Sequence, residues 1–254
     1  MEYYLPLIWA GIIGGAVALY VILDGFDLGI GVLFPFAKDD QQRDQMMASI
    51  APFWDGNETW LVMGGVGLLV AFPLAYAIVM PALYLPVIIM LLALVFRGVA
   101  VEFREHGDSK TLWDAAFAGG SALAGFCQGV ILGGMIQGIR VENGAYAGGA
   151  FDWATPFAFL CGFGVLAGQA LLGATWLVMK TEGPIAERAR AQATVLLYLV
   201  LVFMLAPNSL HSRAQSRASA PLSHQIPGLV IDTIAARTLA LFICSMAPAG
   251  DQLV

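Results

Sequence analysis

Apolar runs long enough to cross a bilayer recur along the chain, separated by short polar stretches. A spanning helix needs about 20 mostly apolar residues. Six segments meet or approach that length: 5–36, 50–71, 76–96, 115–139, 156–179 and 192–206. The pattern predicts an all-α, polytopic integral membrane helix bundle over residues 1–206. The first run is too long for one simple crossing. It either leaves the hydrocarbon near Asp24 or continues as helix into an aqueous or protein-lined region. The sixth is short if it stops at Pro207. Beyond it, 207–228 is rich in Ser, Pro, Ala, Arg and His, and 229–246 is apolar but carries Asp232 and Arg237. That makes 207–254 an atypical tail, interfacial or frame-shifted.

Composition strengthens the membrane reading. Hydrophobic residues make up 59% of the 254 and charged residues 12%, about half the usual charged share of roughly 25%. So few charges cannot cover a water-facing surface, which argues against a soluble enzyme and a disordered chain. The net charge of −6 argues against nucleic acid as a partner. Glycines recur four apart, as at Gly25/Gly29, Gly125/Gly129, Gly134/Gly138 and Gly164/Gly168, a spacing that lets membrane helices approach closely. The three cysteines form no C-x-x-C pair and read as small core residues. The N-terminus lacks the positive region of a cleavable signal peptide. Lys38, Arg43, Arg97, Arg104, Lys110, Lys180, Arg188 and Arg190 fall in alternate loops, against Arg140 alone on the other side. That asymmetry predicts an outside N-terminus and cytoplasmic loops near 38–49, 97–114 and 180–191.

Candidate chemistry lies in ionisable residues within or beside the spans: Asp24, Asp27, Asp55, Glu58, Arg97 and Glu102. A charge at the bilayer centre costs about 2.5–3.5 kcal/mol, whereas a Leu or Val returns only about 0.3–0.6. These groups must therefore face protein, water or a cationic partner. Asp24/Asp27 and Asp55/Glu58 are each i,i+3, so each pair shares a helix face. Two carboxyls so close resist ionising together, which suits them to holding and passing a proton. Asn57 and Thr59 add hydrogen-bonding partners. Plainer readings stand beside this one. Asp55 could cap the second helix, Asp24 and Asp27 could sit at an interface, Arg97 could be a membrane-edge anchor, and Glu102 with Arg104 could be a surface pair.

Histidine is informative by its placement. His106 lies in a charged loop, and His211 and His224 lie in the tail, so no span up to residue 206 contains one. Membrane haem usually needs an axial His. The sequence offers no metal site and no nucleophile set in its membrane part, so no catalytic residue is assigned to this chain.

Three stretches resemble signatures of subunit II of the cytochrome bd-type quinol oxidases, including the cyanide-insensitive branch. They are Leu23-Asp24-Gly25-Phe26-Asp27-Leu28-Gly29, Trp54-Asp55-Gly56-Asn57-Glu58-Thr59-Trp60-Leu61, and Phe96-Arg97-Gly98-Val99-Ala100 with Glu102-Phe103-Arg104. Gly125-Phe126 with Gln128-Gly129 fits the fourth helix, and the resemblance covers about residues 1–205. It implies a respiratory oxidase of the bacterial cytoplasmic membrane that oxidises quinol and reduces dioxygen to water. It places b-type and d-type (or variant) haems in a partner subunit I, and adds a small accessory subunit, membrane lipid and a structural quinone. By the same resemblance, Asp55 is a buried proton-path acid, Glu102 an acidic entry position, Asp24, Asp27 and Glu58 further acids, and His106 a basic candidate. Trp60, Arg97 and Asn57 fall to the subunit interface or gas route. The family has eight helices in two four-helix halves, more than this chain can hold, so a truncated or frame-shifted C-terminus is expected, with a divergent short form as the alternative. A proton-coupled transporter or channel using the same acids is the competing function.

Overall fold

The structure is a computed structural model that describes residues 4–105 and 109–215, with side chains to Met204. The described residues up to His211 form one compact unit, and the account below concerns it. His106, and the tail from residue 216 on, lie outside the described residues.

The chain forms α1 (Leu5–Leu33), a 3-10 turn (Phe34–Phe36), α2 (Asp40–Ala48), α3 (Trp54–Ala71), α4 (Pro73–Ala82), α5 (Tyr84–Phe103), α6 (Lys110–Gln137), strands β1 (Val141–Glu142) and β2 (Ala145–Tyr146), α7 (Pro156–Lys180) and α8 (Pro184–Gln215). Among the described residues, four helices are long and apolar enough to cross a membrane: α1 with its 3-10 extension, α5, α6 and α7. Large apolar side chains cover their outer faces, Ile8, Val95, Leu112 and Phe163 among them, as a lipid-facing surface requires. The fold is an all-α integral membrane bundle.

The first expected span stays helical past Asp24, and its second half is enclosed. Residues 24–31 are all buried, whereas most of the first turns are exposed. α1 packs against α3, α6 and α7, while α5 lies on α6 and α6 on α7. Glycine makes the tightest crossing possible: a Cβ on Gly29 would strike the backbone of Gln169 and Gly173. The same device brings α5 onto α6, where a Cβ on Gly120 would meet Ala93 O at 2.7 Å and Arg97 N at 3.1 Å. Another glycine expected at a contact, Gly168, faces open space.

The structure corrects three expectations. The span expected over 76–96 is instead two helices broken at Leu83. Pro86 has no N–H to give to Ala82, and its ring would clash with that carbonyl in a continuous helix. The spanning helix is therefore α5, and Arg97 lies inside it rather than at a membrane edge. Second, the helix expected to stop at Pro207 begins at Pro184 and runs through Pro207 to Gln215. Third, Arg104 and Glu102 are not a surface pair. Arg104 is 1% exposed, pairs with Asp44 of α2 and Asp114 of α6, and stacks over Phe34 with 5.4 Å to the ring centroid. Arg43 joins Asp40 at 2.9 Å and Asp114 at 3.7 Å. This cluster fastens the polar helix α2, whose N-cap Asp39 accepts from Gln42 N at 2.8 Å, to the ends of α5 and α6.

The loop after α6 turns through a small hairpin. Asn143 and Gly144 both have positive φ, 51° and 77°, as a two-residue hairpin turn twisted to match its strands demands. Thr155 then caps α7, its hydroxyl accepting from Ala158 N at 3.1 Å.

Candidate functional site: a buried ion-paired acid cluster

Asp24 and Asp27 lie one turn apart on the enclosed half of α1, and both are completely buried. They face different partners. Asp24 Oδ1 accepts from Arg97 Nη2 of α5, itself completely buried. Asp27 Oδ2 accepts from Asn57 Nδ2 of α3 at 2.8 Å, and the same amide reaches Leu23 O at 3.4 Å. Glu58, one residue further along α3, stands 3.6 Å from Arg97 Nη2. Trp54 lies over the guanidinium, 5.7 Å from Cζ to ring centroid. One cation thus serves two carboxylates on two helices, and an aromatic face shields it. An arginine suits this work because its charge is permanent and its planar fork presents several donors.

The cluster is only partly satisfied within the chain. Asp24 Oδ2, Asp27 Oδ1, and Arg97 Nε and Nη1 have no hydrogen-bond partner among the described residues. An unpaired buried polar atom is costly. Their clustering at one place marks a polar pocket inside an apolar bundle.

Other expected residues line an adjoining groove. Trp54, Asp55, Glu58, Thr59, Gly98 and Glu102, with apolar walls from Val62, Leu94, Val95, Val99 and Phe103, border a groove of about 450 Å³ between α3 and α5. Asp55 and Glu102 are exposed in this chain. Asp55 does not cap α3: it sits in the first turn, and the N-cap is Phe53 without a side-chain bond. Trp60 is 36% exposed on the open face of α3. The structure therefore unites Asp24, Asp27, Asn57, Glu58 and Arg97, sets Asp55 and Glu102 along the adjoining groove, and leaves Trp60 on the outer side.

Three polar residues escaped notice in the sequence. Tyr20, Gln128 and Gln169 are linked to one another beside Asp24. Gln128 entered only as part of a motif. The signal was there: an amide inside an apolar run needs a partner as surely as a charge does, at smaller cost.

These features define a polytopic helical membrane protein whose core holds an ion-paired cluster of acids. The model of the family described as cytochrome bd terminal oxidase subunit II matches residues 5–250. The chain belongs to that family. The match runs well past residue 205, so the likeness extends into the tail. The probable cytochrome oxidase subunit 2 of Haemophilus influenzae is 31% identical over 88% of this chain and 62% of its own length. The cytochrome bd-I ubiquinol oxidase subunit 2 of Escherichia coli K12 is 34% identical over 78% of this chain and 55% of its own. The cytochrome bd ubiquinol oxidase subunit 2 of Bacillus subtilis is 30% identical over 88% and 68%. The first two of these relatives are thus matched over little more than half of their length. A solved structure of bd oxidase from Geobacillus thermodenitrificans shares the fold, with a TM-score of 0.63 at 18% identity over 79% of this chain and 64% of that one.

Proposed function

We propose that this chain is the haem-free subunit of a bd-type quinol oxidase of the bacterial cytoplasmic membrane. It supports a haem-bearing subunit I that oxidises quinol and reduces dioxygen to water, and it handles protons for that reaction. The observation that carries the reading is the Arg97–Asp24–Glu58 cluster, with Asp27–Asn57 beside it, opening onto an acid-lined groove in a chain of this family. The named relatives are ubiquinol oxidase subunits, which supports the same substrate and chemistry here.

The chain's own donors do not fit a haem. The spans to residue 206 hold no histidine, and among the described residues no group of three or more His, Cys, Asp or Glu could hold a metal ion. The b-type and d-type or variant haems belong to the partner. This chain's work is to bind and to move protons. Asp55 and Glu102 collect them at the groove, and His106 is a further basic candidate named by the sequence alone. Glu58, Asp24 and Asp27 hold them deeper, steadied by Arg97. Trp60 and the open face of α3 meet the partner or the gas route. The excess of basic residues around α2, at Arg104 and Lys110 and at the start of α8 supports a cytoplasmic placement of that end, with the N-terminus outside. A structural quinone and a small accessory subunit complete the assembly.

Purification in mild detergent tests the proposal. Co-purification with a haem-rich membrane partner, and oxygen uptake on adding quinol, are the expected results. A colourless, partnerless protein that moves protons or solute in vesicles would overturn it in favour of a transporter.

A further inference from the structure

Beyond Asp24, three neutral polar side chains are enclosed in apolar helices, and neither the ion pair nor the groove uses them. Tyr20 stands one turn before Asp24 on the same face of α1, and is 3% exposed. Gln128 Nε2 of α6 donates to Tyr20 Oη at 2.6 Å. Gln169 Nε2 of α7, on a residue 2% exposed, donates to Gln128 Oε1 at 2.7 Å.

Both bonds run toward Tyr20, whose Oη accepts from Gln128 and keeps its own hydrogen to give. One turn further along α1, Asp24 Oδ2 is buried with no partner among the described residues. In an apolar interior, hydrogen bonds in series polarise one another. The amides are also held in place by packing: a Cβ on Gly125 would strike the Gln169 side-chain amide, so the glycine keeps a slot for it. Leucine or phenylalanine would fill the same space without a desolvation cost. The arrangement is therefore built for its polarity.

We propose that Tyr20, held by Gln128 and Gln169, is a positioning residue of the acid cluster: its hydroxyl proton, directed at Asp24, keeps that carboxylate in its pairing with Arg97 and tunes how readily Asp24 takes up a proton. The inference rests on the proton-handling reading of the cluster. Asp24 is faced by Arg97 from α5, by Glu58 from α3 with Asp55 further out, and by Asp27 on its own helix. α6 and α7 contribute the neutral Gln128 and Gln169, which connect to α1 through Tyr20.

The test uses the assembled complex with Tyr20→Phe and, separately, Gln128→Leu. Infrared difference spectra against pH follow the carboxyl band that Asp24→Asn removes. Tyr20→Phe is expected to move the midpoint of that band by about one pH unit, the worth of one hydrogen bond to a buried charge. Gln128→Leu should move it the same way by less, and the pH profile of quinol-driven oxygen uptake should follow. An unchanged midpoint overturns the proposal. So does a uniform loss of turnover at every pH with the band unmoved, which would make Tyr20 merely structural. Should Tyr20→Phe fail to assemble, Gln128→Leu, which keeps the phenol, decides on the same criterion. A wild-type complex with no quinol-driven oxygen uptake would defeat the functional reading, while the infrared titration still judges Tyr20.

Discussion

Arg97 shows how one residue's environment sets its meaning. Fully buried and paired with Asp24, it is stable only with that partner, because removing one member strands a charge in a low dielectric at a cost of about 3–5 kcal/mol. Arg97→Leu is expected to lower the thermal unfolding temperature in detergent sharply. Arg97→Leu with Asp24→Leu should recover most of that loss without recovering turnover. A double variant no more stable than the single one would show that the pair is not the stabilising unit. Asp55 differs because it is exposed on the groove and, among the described residues, has no ion-pair partner to strand. Asp55→Asn is expected to slow oxygen reduction while haem content, read from the absorbance spectrum, is largely kept. Unaltered turnover across pH would remove Asp55 from the proton route. The acids themselves were legible in the sequence, since a charge in an apolar run announces its cost. Their partners were not. Spacing tied Asp24 to Asp27, yet Asp24 pairs across 73 positions with Arg97 and Asp27 across 30 with Asn57, and contacts of that separation carry no local signal.

At the scale of elements, glycine spacing predicted close crossings without saying which would be used. Gly29 meets the backbone of α7, whereas Gly168, four-spaced in the same fashion, faces open space. Gly29→Val is therefore expected to destabilise by about 1–3 kcal/mol or more through overpacking, seen as a lower melting temperature, with Gly168→Ala unchanged or slightly higher. Equal effects at both positions would contradict the crossing. Element boundaries followed the strongest local rules. α7 and α6 lie close to where hydropathy put them, because long apolar runs end at clear polar signals. The third span did not, because hydropathy is blind to a proline break inside an apolar run. The difference shifts the helix by about two turns at 3.6 residues each and carries Arg97 from a loop into the core. The Asn143-Gly144 hairpin was readable from its dipeptide and was simply overshadowed by the spans.

At the scale of the whole molecule, the two ends of the bundle differ in charge and shape. One end carries α2 with the Arg104–Asp44–Asp114 cluster, and the other carries the hairpin of β1 and β2. In a background lacking the native cysteines, Asn143→Cys is expected to react with a membrane-impermeant maleimide added to intact cells. Ser109→Cys should react only after permeabilisation. The reverse pattern would invert the topology and with it the cytoplasmic supply of protons to Asp55 and Glu102.

The sequence by itself determined that this is a membrane bundle, which segments are apolar, and which acids are too costly to face lipid. It could do so because hydropathy and charge are local quantities summed over a run. Only the tertiary structure decided that Arg97 belongs to Asp24 and Glu58, that Asn57 belongs to Asp27, and that Gln169, Gln128 and Tyr20 join in one series of hydrogen bonds. Those pairings come from where α1, α3, α5, α6 and α7 cross. The crossings are fixed by the sum of many small packing contacts, spread over positions far apart in the chain.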